Sequence, residues 1–107
     1  MKYLYVEWMH KFLDEPIVLI SELDENRFEQ RKIEIYKDGK AGYAINKTEI
    51  HDTRLSVDSI PEIHNIALNK KFKPKYISKN DFTRIWNAKE NYKVVEIDVS
   101  NIMIEKK

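Results

Sequence analysis

The chain has 107 residues, 42% hydrophobic and 35% charged, with 19 Lys and Arg against 18 Asp and Glu and no cysteine. That length supports one core rather than two, and the two Trp, six Tyr and four Phe supply enough buriable area to exclude disorder of the whole chain. The near balance of charge argues against a dedicated nucleic-acid binder, and the missing thiols exclude a disulfide framework, a thiolate zinc site and a cysteine nucleophile.

Taken from the start, residues 2–10 alternate. Leu4, Val6 and Trp8 fall on one face and Tyr3, Tyr5 and Met9 on the other. Both faces are apolar or aromatic, which predicts a strand covered on both sides, or on one side with tyrosines at a rim. The N-terminal stretch reaches Glu7 too soon for a signal-peptide core. The longest apolar run, residues 17–20, is far short of the ~20 residues of a membrane span, so cytoplasm is the default expectation. Leu13-Asp14-Glu15-Pro16 breaks the first strand. Ile17-Val18-Leu19-Ile20, short and mostly β-branched, reads as a central strand.

Residues 31–36 alternate with period two, and Ala41-Gly42-Tyr43-Ala44-Ile45 follows Asp38-Gly39. An Asp-Gly pair between two such runs predicts a two-residue hairpin turn with positive φ at both positions. With 38 and 39 as the turn, Ile35 faces Gly42 and Ile33 faces Ala44. Glu34 then faces Tyr43 and Lys32 faces Ile45 on a wetter side.

The second half carries two helical patterns. Ser59-Ile60-Pro61-Glu62 opens the first, with Pro at the first helical position and Ile60, Ile63, Ile66 and Ala67 on one stripe. The four lysines of residues 69–75 read as a solvated helix end and loop, and Lys75-Tyr76-Ile77 as a short edge strand. Ser78-Lys79-Asn80-Asp81 resembles a capping box, followed by Phe82, Ile85 and Trp86 on one stripe. Val95, Ile97 and Val99 alternate with polar residues and predict a C-terminal strand. The expected architecture is a single α+β domain over 1–107, mainly an antiparallel β-sheet with two helices packed on one face.

Two groups of side chains are candidates for a site. Trp8 and His10 share a strand face beside the acidic turn of Asp14 and Glu15, an arrangement that would suit acid–base chemistry. Glu22, Asp24, Arg27 and Arg31 are the second group, whose acids would suit a hard cation and whose arginines would clamp a phosphate or carboxylate. The structural alternatives are an aromatic anchor with a plain turn, and cross-strand ion pairs on a solvated face. His10, His51 and His64 show no metal-ligand spacing, and the only glycines, Gly39 and Gly42, permit no Gly-rich phosphate loop. No metal and no cofactor is therefore expected.

The string Trp8-x-His10-x-Phe12-x-Asp14-Glu15-Pro16, Ser21-Glu22-Leu23-Asp24, Arg27-x-Glu29-x-Arg31-Lys32-x-Glu34, Asp38-Gly39 and Gly42-Tyr43-Ala44 resembles a group of small bacterial domains of unknown function. Ile60-Pro61 and the Phe82 to Trp86 stripe extend the resemblance more loosely, so that it spans about residues 2–87. It implies a bacterial origin and a compact domain, and it brings no activity to inherit. The strand region of about residues 92–104 reads as an extension beyond that core.

The leading functional expectation is a protein-binding module, an immunity-type inhibitor of a toxin, because Tyr, Trp and Arg are abundant and no catalytic template is present. The alternative is a small enzyme or ligand binder, which requires the two candidate groups to converge on one side of the sheet. A third reading is homodimerisation through the hairpin face or an edge strand. No nucleic-acid or membrane partner is expected.

Overall fold

A computed structural model describes residues 1–89 and, as backbone, residues 92–97 and 102–106. Strands β1 (Lys2–Trp8), β2 (Val18–Leu23), β3 (Glu29–Ile35), β4 (Ala41–Ile45), β5 (Thr48–Ile50) and β6 (Phe72–Ile77) form one sheet. Its order is β5-β4-β3-β2-β1-β6, with every neighbouring pair antiparallel. Helices α1 (Ile63–Ile66) and α2 (Lys79–Ala88) are short, and the fold is α+β. Strands β7 (Tyr92–Ile97) and β8 (Ile102–Lys106) pair antiparallel in a separate two-stranded sheet. The strand expected around Val95 and Ile97 is β7, while Val99 lies outside the described residues.

Strand β1 is covered on both faces, the first of the two readings that its double apolar alternation allows. Tyr3 and Tyr5 join Val18, Ile20, Ile33 and Ile35 in a cluster closed by Phe82 and Ile85 of α2. Leu4, Val6 and Leu23 form a second cluster against Ile60, Ile63, Ile66 and Phe72. Adjacent residues of a strand point to opposite faces, so α2 covers one face while α1, with the segment before it, covers the other. The expectation of both helices on one face is corrected accordingly. The physical reason lies in the crossover: the chain must travel from the β5 edge to the β6 edge, and it packs the half-buried Ile60, Ile63 and Ile66 against Leu4, Val6 and Leu23 on the way.

Three local expectations meet the structure differently. Ser78 caps α2 as read, its Oγ accepting from Asp81 N–H at 3.0 Å. Helix α1 is a single turn whose N-cap is Glu62, so Pro61 precedes the helix instead of opening it. The Ile60 N–H is committed to Arg27 O at 2.8 Å, which holds residues 60 and 61 outside the helix. The β3–β4 hairpin has a three-residue loop rather than two. Tyr36 N–H donates to Lys40 O at 3.0 Å and Gly39 N–H to Tyr36 O at 2.9 Å, with positive φ at Gly39 alone of the turn residues. This is a type I turn closed by a left-handed glycine. The register moves by one residue, pairing Ile33 with Tyr43, Glu34 with Gly42 and Ile35 with Ala41.

Candidate functional site

The first candidate group sits where β1 leaves the sheet. Met9 N–H donates to Lys71 O at 2.8 Å, joining the 9–16 loop to the turn before β6. The His10 ring lies 4.2 Å from the Trp8 ring and 5.4 Å from the Phe12 ring, and Trp8 lies 5.7 Å from Phe72. Both imidazole nitrogens are used. Nδ1 accepts from Phe12 N–H at 3.0 Å, and Nε2 lies 2.7 Å from Pro16 O, a pair of bonds that the Nε2–H tautomer satisfies together. His10 thus ties the loop to its own far end. Asp14 and Glu15 are exposed on that loop and are not partners of His10. The charge of Glu15 acts instead on Tyr36, whose hydroxyl is held above its ordinary pKa by burial first, then by Glu34, Glu15 and Asp52.

The second group divides into three structural devices. Glu22 and Arg31 face each other across β2 and β3. Arg31 Nε donates to Glu22 Oε1 at 2.9 Å and an Arg31 terminal nitrogen to Oε2 at 2.8 Å, a two-pronged pair. The guanidinium lies over the Phe82 and Trp86 rings at 4.8 and 5.0 Å, so the pair is wedged under α2. Arg31 holds the Glu22 carboxyl below the usual carboxylate range, with a further hydrogen bond from the Tyr3 hydroxyl. Tyr3 is pushed up by burial and by Glu22.

Asp24 organises the β2–β3 turn. Its Oδ1 accepts from Asn26 N–H and Phe28 N–H, both at 2.9 Å. Arg27, in left-handed conformation at φ 66°, clamps the crossover. Its guanidinium donates to Ile60 O at 2.8 Å, Pro61 O at 2.7 Å and the Tyr76 hydroxyl at 2.8 Å, and lies 3.5 Å from Glu62. Each member of this group is committed to holding the chain together.

The two groups are not brought together. Glu22 sits beside Tyr3, and five residues of strand, roughly 16 Å, separate Tyr3 from Trp8. Tyr3 and Trp8 also point to opposite faces. Sequence reasoning missed Glu29, a buried carboxylate that accepts from the Ser21 hydroxyl and from Ser56 N–H, both at 2.6 Å, pinning the 53–58 loop to the sheet. Its strand position gave no sign of this, because Ser56 is a distant residue. A shallow groove by the start of β1 is lined by Met1, Lys2, Tyr3, Tyr76, Ile77 and Lys79, with no carboxylate or histidine in its walls.

Apolar side chains stand exposed around the 9–16 loop. Met9, Phe12 and Leu13 are 40, 59 and 86% exposed, and Leu68, in the turn after α1, is 79% exposed. The signal was present in the sequence: Phe12 and Leu13 precede an Asp-Glu-Pro break, where no strand can turn them inward. Lys70, Lys71 and Lys73, which follow Leu68 in sequence, are exposed. Among the described residues, no group of three or more His, Asp or Glu side chains is placed to hold a metal ion, and no helix is long and apolar enough to cross a membrane.

The chain belongs to the family described as Domain of unknown function (DUF6881), which matches residues 2–91. No curated protein and no solved structure matches it.

Proposed function

We propose that the domain is a small bacterial protein-binding module acting in the cytoplasm, an immunity-type inhibitor that occludes a toxin. The observation that carries the reading is the exposure of Met9, Phe12 and Leu13 along the 9–16 loop. Exposed apolar side chains gathered beside polar residues are the common mark of a partner surface. The 9–16 loop that presents them is held by the bonds of His10 to Phe12 N–H and Pro16 O. Binding to a loop already held in shape costs less ordering entropy than binding to a loose one. The candidate polar groups point the same way, because His10, Glu22, Asp24, Arg27 and Arg31 spend their hydrogen bonds inside the fold.

The test is capture of partners from the native host by the tagged chain, compared with a Phe12→Ser/Leu13→Ser variant of unchanged melting temperature. A stoichiometric partner held by the first and lost by the second is expected, and co-expression should suppress that partner's toxicity. Equal capture by both baits would remove the loop from the binding surface. A partner without toxicity would leave a binding module and discard the inhibitor. Concentration-dependent dimerisation of the wild type, abolished in the variant, would reassign the surface to self-association.

A further inference from the structure

Resting on the protein-binding reading, we infer that His10 is a proton-operated latch on the loop that meets the partner: the neutral imidazole holds Phe12 in place, and its protonation lets Phe12 go. Nδ1 accepts from Phe12 N–H at 3.0 Å while Nε2–H donates to Pro16 O at 2.7 Å. Only the neutral ring does both, because an imidazolium carries a proton on each nitrogen and accepts nothing. Once Nδ1 is protonated, two N–H groups face each other across 3.0 Å. One of them must turn away.

The surroundings decide which. The protonated ring keeps its bond to Pro16 O, and the Trp8 ring, 4.2 Å away, is close enough to attract it as a cation. Phe12 N–H is exposed and can turn to water. Phe12 therefore moves, and with it an apolar side chain that is 59% exposed. No neighbouring charge takes control of the ring. Glu7 and Lys73 are register partners on the strand face opposite to Trp8 and Phe72. Lys11, Asp14 and Glu15 of the loop and Lys70 and Lys71 of the turn before β6 are exposed. Among the described residues none of these forms an ion pair with His10. At the end of β3, Tyr36 engages Glu34, Glu15 and Asp52 rather than His10. A loop that has lost one of its two internal bonds must be ordered again on docking, which weakens binding. The loss of one such bond corresponds to about a three- to tenfold fall in affinity.

Trp8 reads the latch without any partner. In a Trp86→Phe background it is the sole tryptophan, because the chain has two, and an imidazolium beside an indole quenches its emission. Between about pH 8 and pH 5, the span in which imidazoles change charge, Trp8 emission should fall. The Phe12 amide resonance, read in the chain without that substitution, should move along the same curve. His10→Asn supplies a side-chain oxygen that accepts from the N–H two residues on whatever the pH, so neither signal should titrate in it. The wild-type chain and His10→Asn then serve as baits for the host partner at about pH 7.5 and are washed at about pH 5.5, on either side of the imidazole range. The wild type should release about three- to tenfold more of its captured partner than His10→Asn does. Flat Trp8 emission with a fixed Phe12 amide overturns the latch whatever the capture shows. Titration of both signals with equal release from the two baits overturns its control of binding. No partner on either bait at the higher pH removes the binding module instead, and the latch then stands or falls on Trp8 and Phe12 alone.

Discussion

Gly42 offers a sharp test of how the chain crosses its own sheet. It lies in β4 opposite Glu34, and the turn that follows β5 passes directly over it. A Cβ at this position would run into the Thr53 hydroxyl and lie 2.9 Å from Ile50 O and 3.1 Å from His51 O. Those carbonyls have little room to retreat. His51 and Asp52 already adopt positive φ, at 55° and 63°, and Thr53 is fully buried. Overpacking of this kind costs about 1–3 kcal/mol. The stiffer unfolded chain of an alanine variant returns about 0.4–1 kcal/mol. Gly42→Ala should therefore lose about 1–2 kcal/mol net, a fall in Tm of roughly 5–15 °C for a domain of this size. Far-UV circular dichroism on heating, with urea unfolding followed by tryptophan fluorescence, measures it. Adding Thr53→Ala removes the hydroxyl but not the two carbonyls. The double variant should recover part of the loss, with a coupling of about 0.5–1.5 kcal/mol. Wild-type stability in Gly42→Ala would refute the close crossing of residues 50–53 over β4.

Acid should weaken the sheet through Glu22. Its folded-state pKa is depressed, chiefly by the hydrogen bonds from Arg31, so its contribution is fully present above the unfolded-state value of about 4.3 and is lost as pH falls through the folded value. The urea midpoint of the wild type should drop below about pH 4.5, with a smaller drop in Glu22→Gln. Parallel profiles would assign the acid sensitivity elsewhere. Arg27→Lys should cost about 2–3 kcal/mol, because one ammonium cannot serve Ile60 O, Pro61 O and the Tyr76 hydroxyl together. Amide exchange at residues 60–66 should quicken before the rest of the sheet, and uniform quickening would show that Arg27 does not act as a local clamp.

Strand existence was legible wherever period-two alternation was strong. β1, β2, β3 and β4 lie where the residues predict them, β6 begins at Phe72 inside the stretch expected to be a helix end and loop, and Ser78 caps α2 through the bond its position implies. Legibility failed where a distant group decided the outcome. Pro61 looked like a helix start, yet the Arg27 guanidinium, 34 residues away, takes its carbonyl and keeps it outside α1. Asp38-Gly39 announced a hairpin correctly but not its loop length, since Asp-Gly suits both a two-residue turn and a type I turn with one left-handed glycine. The candidate site residues were legible as charged or aromatic but not as partners. Glu22 with Arg31 follows from strand register, whereas Asp14 and Glu15 do not join His10.

The sequence by itself determined the α+β composition and the absence of any Gly-rich phosphate loop or thiol chemistry, and it narrowed the covering of β1 to two readings. These are properties of residue type and local period, which each segment carries with it. Only the tertiary structure decided which face each helix covers, that the two candidate groups lie at opposite ends of the sheet, and that Phe12 and Leu13 remain in solvent. A crossover of more than twenty residues separates β5 from β6. Its path is set by which apolar face remains uncovered, a property of the assembled sheet and of no single segment.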